Sequence, residues 1–147
     1  PGNQRNAKAV REFLLAEAAE RGWASDPETH YNNAITASIT YWGGTSGSAS
    51  TYLSQPDVAY TTATGTWQQK IGTQMWLAMY NRGFEAWTYW RKYDFPALVP
   101  PVSALSVIPL RYTYPIEEQT LNGANYSSAS SAIGGDNVAT KLFWDLY

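Results

Sequence analysis

The chain has 147 residues, with 10 basic and 12 acidic side chains, a net charge of −2 and 44% hydrophobic residues. That apolar content suits one folded domain-sized chain and argues against wholesale disorder, and no Lys/Arg block marks a nucleic-acid footprint. Cysteine is absent and histidine occurs once, which excludes disulfides, thiol catalysis and cysteine metal sites, and no apolar run approaches the roughly 20 residues that span a bilayer.

The start, Pro1-Gly2-Asn3, carries no initiator Met and reads as that of a mature or cut product. The first helix is expected from about Arg5 to Arg21, with Val10, Phe13, Leu14 and Ala18 at helical spacing and Gly22 as its stop. Asp26-Pro27 restarts the chain: Asp26 suits an N-cap and Pro27 the first helical position. A second helix should run to about Trp42 on a stripe of Tyr31, Ile35, Ile39 and Trp42. The short connection makes the pair an antiparallel hairpin of tetratricopeptide-like length.

Gly43 to Ser50 reads as a Gly/Ser/Thr loop, followed by a helical turn near Ser50–Ser54 that Gln55-Pro56 interrupts. A long helix is expected from near Thr66, with Thr64 or Thr66 as its cap, to about Lys92, with Trp67, Ile71, Met75, Ala78 and Met79 on one face. It should bend or break near Asn81-Arg82-Gly83.

From Asp94 five prolines forbid a long helix. Val107–Tyr114 suits an extended edge segment, Glu117–Leu121 one turn and Ser127–Ala132 a short helix. Gly134-Gly135-Asp136 is a turn, and Lys141–Tyr147 an aromatic tail. The whole is one mainly α unit: a helical hairpin, a long helix, and an irregular Pro-rich C-terminal segment.

Several stretches stand out, in order along the chain. They are Phe13-Leu14-Leu15-Ala16-Glu17-Ala18-Ala19-Glu20-Arg21-Gly22-Trp23, then Tyr31-Asn32-Asn33-Ala34-Ile35 and Ser38-Ile39-Thr40-Tyr41-Trp42-Gly43. Ile71 to Tyr80 follows, running into Gly83-Phe84-Glu85-Ala86-Trp87-Thr88-Tyr89-Trp90-Arg91. Ile108-Pro109-Leu110-Arg111, Tyr114-Pro115, Glu118, Asn122, Asn125, Gly134-Gly135-Asp136-Asn137 and Thr140 to Asp145 complete the series, and in this order the stretches resemble the SusD/RagB superfamily. The resemblance implies a helical fold built on tetratricopeptide-like hairpins. It also implies a cell-surface lipoprotein of the outer membrane that works with a SusC-like TonB-dependent transporter. On this reading residues 1–147 are the C-terminal part of one SusD-like domain, and the N-terminal portion, with the lipid anchor, lies on another segment and is a partner of this one.

Chemistry points the same way. A Ser-His-Asp triad would have to use His30, and no nucleophile-elbow pattern accompanies it. Glu85, Asp94, Glu117, Glu118 and Asp136 include no pair whose spacing marks glycosidase partners, and Glu85 can instead reach Arg82. Arg91 and Arg111 can tie the Pro-rich segment down, with Glu117 and Glu118 as partners. Asp136-Asn137 suits turn chemistry better than calcium. No catalytic residue, metal ligand or cofactor is assigned.

The aromatics, 7 Trp and 11 Tyr, carry the functional expectation. Trp67, Trp76, Trp87 and Trp90 fall at helical spacings and suit a core or interface. Tyr41, Trp42, Tyr52 and Tyr60 flank the polar loop and are the candidate ligand contacts, since flat rings match the C–H faces of sugars. The expected function is non-catalytic binding of a nutrient, an oligosaccharide above all. The alternatives are a helical carbohydrate-active hydrolase and a protein-docking structural domain.

Overall fold

The computed structural model describes residues 6–145. The expected helix start at Arg5 and the end of the tail at Tyr147 lie outside them. The chain forms two compact units, Pro1–Pro96 and Ala97–Tyr147. Among the described residues there are seven α-helices and no strand, so the mainly α expectation holds.

The first unit contains α1 (Ala7–Glu20), α2 (Pro27–Tyr41), α3 (Ser46–Leu53), α4 (Trp67–Ala78) and α5 (Gly83–Tyr93). The α1–α2 hairpin forms as expected and its stops are glycines. Gly22 takes φ 78°, while its N–H reaches Ala19 O at 2.9 Å and the Trp23 N–H reaches Ala18 O at 2.8 Å. Gly43 repeats this closure at φ 93°, with Gly44 N–H bonded to Ile39 O at 2.9 Å. A left-handed residue one step past the helix satisfies two orphan carbonyls, and glycine adopts that conformation without a Cβ penalty.

Asp26 stands at the N-cap of α2, but its φ is 59° and its side chain makes no capping bond. The left-handed backbone turns the carboxylate from the amides that a β-region cap serves. Thr45 and Thr66 cap properly, accepting from Ser48 N at 3.0 Å and Gln69 N at 3.3 Å. The Thr45 cap starts α3 at Ser46, ahead of the expected turn at Ser50. The long helix expected from Thr66 is two helices, α4 and α5. They part at Asn81, whose φ is 61°.

Phe13, Ala16, Tyr31, Ala34, Ile35, Val58, Ile71, Met75, Ala78, Met79 and Tyr93 make the core of this unit. Each large apolar side chain removed from water there contributes about 1.5–3 kcal/mol. Tyr31 also donates to Val58 O at 2.9 Å, pinning the chain between α3 and α4. Gly72 lets α5 close on α4, because a Cβ there would stand 2.6 Å from Tyr93 Cβ.

The stripe expected on α1 is shifted. Its buried face is Ala9, Glu12, Phe13, Ala16 and Glu17, and Leu14 lies 39% exposed. Two carboxylates enter the interior because both are paired. Glu12 meets His30 Nδ1 at 2.8 Å and Arg11 at 2.7 Å. Those partners, His30 first, outweigh burial and hold the Glu12 carboxyl below the usual range. Glu17 accepts from Tyr93 Oη at 2.6 Å, from Arg21 at 2.9 Å, and from Lys92.

The second unit holds α6 (Ile116–Leu121) and α7 (Gly123–Ala132). The third glycine closure ends α7, with Gly134 at φ 81° and Gly135 N–H on Ser130 O at 2.8 Å. Val107–Tyr114 forms no strand. The N–H groups of Leu110 and Arg111 share one acceptor, Val138 O, at 2.8 and 3.3 Å, so no ladder propagates. Arg111 is buried, and its partner is Asp136 at 3.1 Å, not Glu117 or Glu118. Glu118 instead accepts from Asn122 at 2.9 Å.

Candidate functional site

The glycine closure of α2 leaves Trp42 at the C-cap, one step beyond the packed stripe, and 47% exposed. Tyr80, 72% exposed, follows Met79, the C-cap of α4, and like Trp42 stands directly before a left-handed residue, here Asn81. The Trp42 ring meets Tyr41 edge-on at 5.0 Å and Tyr80 at 5.5 Å, with interplanar angles of 76° and 73°. Such T-shaped contacts suit the quadrupoles of the rings. The three rings form an aromatic ledge at the ends of α2 and α4.

Beside the ledge runs a groove of about 490 Å³ between α2, α3 and α4. Ile35, Ile39, Leu77 and Tyr52 supply apolar walls, and Ser38 and Gln74 supply polar groups. Tyr52 donates to Gln74 Oε1 at 3.1 Å, which orients the amide. Leu77 and Tyr80 also border a second hollow of about 400 Å³ with Trp76, Asn81 and Arg82. The ledge therefore lies between two hollows that share Leu77, an elongated surface rather than a single pit.

Of the four expected contact residues, Trp42 and Tyr52 line the groove and Tyr41 supports Trp42. Tyr60 does not line it. Its ring packs on Tyr31 at 4.9 Å, Lys70 Nζ lies 5.2 Å from the ring centre, and its hydroxyl donates to Glu20. Burial and the Glu20 carboxylate push the Tyr60 phenol up. Tyr80, Gln74 and Leu77 were not anticipated. The signal for Tyr80 was present: an aromatic directly before a left-handed helix stop leaves the packed face, as at Trp42-Gly43.

The expected core tryptophans divide. Trp90 is buried and donates to Pro96 O at 2.9 Å. Trp67 meets Tyr93 edge-on at 6.5 Å. Trp87 carries the buried Arg91 guanidinium 3.7 Å above its ring, a cation–π contact. Trp76 borders the second hollow.

The acids bear on catalysis. No carboxylate or histidine is among the described residues that line the groove. Glu85 bonds Arg82 at 2.8 Å, as expected, and its own helix-start amide and Arg82 hold its carboxyl below the usual range. A general acid for glycoside cleavage needs the opposite shift. A separate apolar hollow of about 450 Å³ lies between α1 and α5, with Val10, Leu14, Leu15 and Tyr89 inside and Arg11 and Glu85 at its rim. No helix among the described residues is long and apolar enough to cross a membrane.

A family model, SusD-like, described as starch-binding and associating with the outer membrane, matches residues 7–115. A solved chain described as Bacteroidetes AC2a SusD-like is 30% identical with a TM-score of 0.78, over 95% of this chain and 30% of that one. A solved chitin-binding protein is also 30% identical, with a TM-score of 0.74, over 95% of this chain and 33% of its own. A SusD homologue from Bacteroides thetaiotaomicron shares the fold at 24% identity and a TM-score of 0.75, over 96% of this chain and 38% of its own. The chain thus spans about a third of the length of these relatives. No curated protein matches it. With the matched model running from α1 through α5 to Pro115, the chain belongs to the SusD-like family.

Proposed function

We propose that this chain contributes to non-catalytic capture of an oligosaccharide at the cell surface, for delivery to a SusC-like TonB-dependent transporter. The observation that carries the reading is the aromatic ledge of Tyr41, Trp42 and Tyr80 beside a groove with no acid among its described lining residues. An aromatic face matches the C–H face of a pyranose, and the Gln74 and Ser38 groups match hydroxyls. Two hollows flanking one ledge suit several linked units better than one. The starch-binding description of the family and the chitin-binding relative support a glycan as the guest.

Trp42→Ala and Tyr80→Ala are each expected to weaken binding of maltohexaose or chitohexaose about tenfold, or about 1.4 kcal/mol. Isothermal titration with the full-length protein reads this, and chromatography of the sugar reads cleavage. Unchanged affinity in both variants, or appearance of shorter sugars, overturns the reading.

The apolar hollow between α1 and α5 favours docking as an additional role of this chain. We propose that the remainder of the SusD-like domain covers it, with an apolar helix face against Val10, Leu14 and Tyr89.

A further inference from the structure

The second unit carries a notch that the proposed function does not use. Tyr114, Glu118, Asn122, Asn125, Tyr126 and Ala129 line about 360 Å³, within the range of about 300–1,000 Å³ for small-molecule sites. Its polar groups form a chain. Asn125 Nδ2 donates to Asn122 Oδ1 at 2.6 Å, and Asn122 Nδ2 donates to Glu118 Oε2 at 2.9 Å. Each amide keeps a second donor hydrogen and a second acceptor lone pair beyond the bond it makes.

The walls are held from behind. Asp136, whose side chain is 5% exposed, accepts from Tyr114 N at 3.1 Å and from Tyr126 Oη at 3.3 Å, and Arg111 lies 3.1 Å from it. The two tyrosine rings meet edge-on at 6.0 Å. A notch whose walls are fixed before binding loses little freedom on binding.

The lining selects a chemical class. No cationic side chain is among the described residues that line the notch, and Glu118 adds an acceptor charge, so an anion finds repulsion there. A hydroxyl both donates and accepts, so a vicinal pair of hydroxyls matches two adjacent amides and a carboxylate. Tyr114, Tyr126 and Ala129 offer an apolar wall to the C–H side of the same ring. We infer that the Tyr114–Asn122–Asn125–Tyr126 notch is a second, separate subsite for one neutral glycosyl unit.

The test uses the full-length protein with maltohexaose and chitohexaose as probes, read by saturation-transfer NMR. In a Trp42→Ala/Tyr80→Ala background, sugar signal should persist. Adding Asn125→Ala should lower it at least fivefold, and so should adding Ala129→Trp, which fills the notch without removing a polar group. Circular dichroism confirms the fold of each variant. No residual signal in the ledge variant, or residual signal untouched by both notch variants, overturns the inference and leaves the ledge reading intact. Full signal in the ledge variant that falls with Asn125→Ala supports the notch and sinks the ledge. Calcium binding at the notch with no sugar signal there also overturns it.

Discussion

Arg111→Met should open the second unit by about 3–5 kcal/mol, the typical result of removing one partner from a buried ion pair. Arg111 and Asp136 side chains are 7% and 5% exposed, so solvent cannot replace the lost guanidinium. The Asp136 carboxylate would keep the Tyr114 N–H and the Tyr126 hydroxyl as donors, with a full charge left inside. The substitution also removes a cation 4.9 Å from the Tyr114 ring centre. Exchange of the backbone amides at positions 110 and 111, both bonded to Val138 O in the wild type, should accelerate at least a hundredfold. Arg111→Met with Asp136→Asn should recover part of the loss, because neither charge then remains alone. Strict additivity of the two single changes would show that the pair is not coupled.

The second large effect is expected at Glu17, which is 6% exposed and joins α1 to α5 through Tyr93 and Lys92. Glu17→Ala leaves the fully buried Tyr93 hydroxyl without its acceptor. We expect a loss of about 2–4 kcal/mol, from one buried unsatisfied hydroxyl and weakened charge-assisted bonds. Arg21 and Lys92 side chains are 28% and 31% exposed, and solvent screening keeps their share modest. The pH dependence has a definite sign. Burial alone would raise the Glu17 carboxyl, but bonds from Lys92, Tyr93 and Arg21 overcome it and hold the carboxyl below the usual range. A depressed folded pKa gives stability that is present above the unfolded value, about 4.3, and is lost as pH falls through the folded one. Glu12, depressed through His30, adds in the same direction. Urea midpoints of wild type and Glu17→Gln should therefore differ at pH 7 and converge near pH 3. An equal gap at both pH values would remove Glu17 from the acid-sensitive set.

Local signals in the sequence carried most of the helical frame. Gly22, Pro27, Gly43 and Asn81 mark where helices stop, start or break, because φ preferences act at single residues. The shifted face of α1 was hidden for the opposite reason. Hydrophobic periodicity treats Glu12 and Glu17 as solvent-facing, and the groups that permit their burial, His30, Lys92 and Tyr93, lie 18, 75 and 76 positions away. Asp136 as the partner of Arg111 was hidden likewise, while the adjacent acids at 117 and 118 drew the expectation. Two of the three rings of the aromatic ledge, Tyr41 and Trp42, were legible beside the polar loop. The exposure of Tyr80 was legible in the helix stop at Asn81, but its meeting with Trp42 was not, since only the packing of α2 against α4 brings the two rings together.

The phenols of the first unit set its behaviour in alkali. Tyr31 and Tyr93 are pushed above the ordinary tyrosine range by burial, and Tyr60 by burial together with Glu20. Above pH 10 the unfolded chain sheds these three protons while the native chain retains them, so the balance tips toward unfolding by up to three protons' worth of slope. Tyrosinate absorbance from these rings would then rise together with loss of helix, making the base limit of this fold a cooperative event rather than a gradual titration.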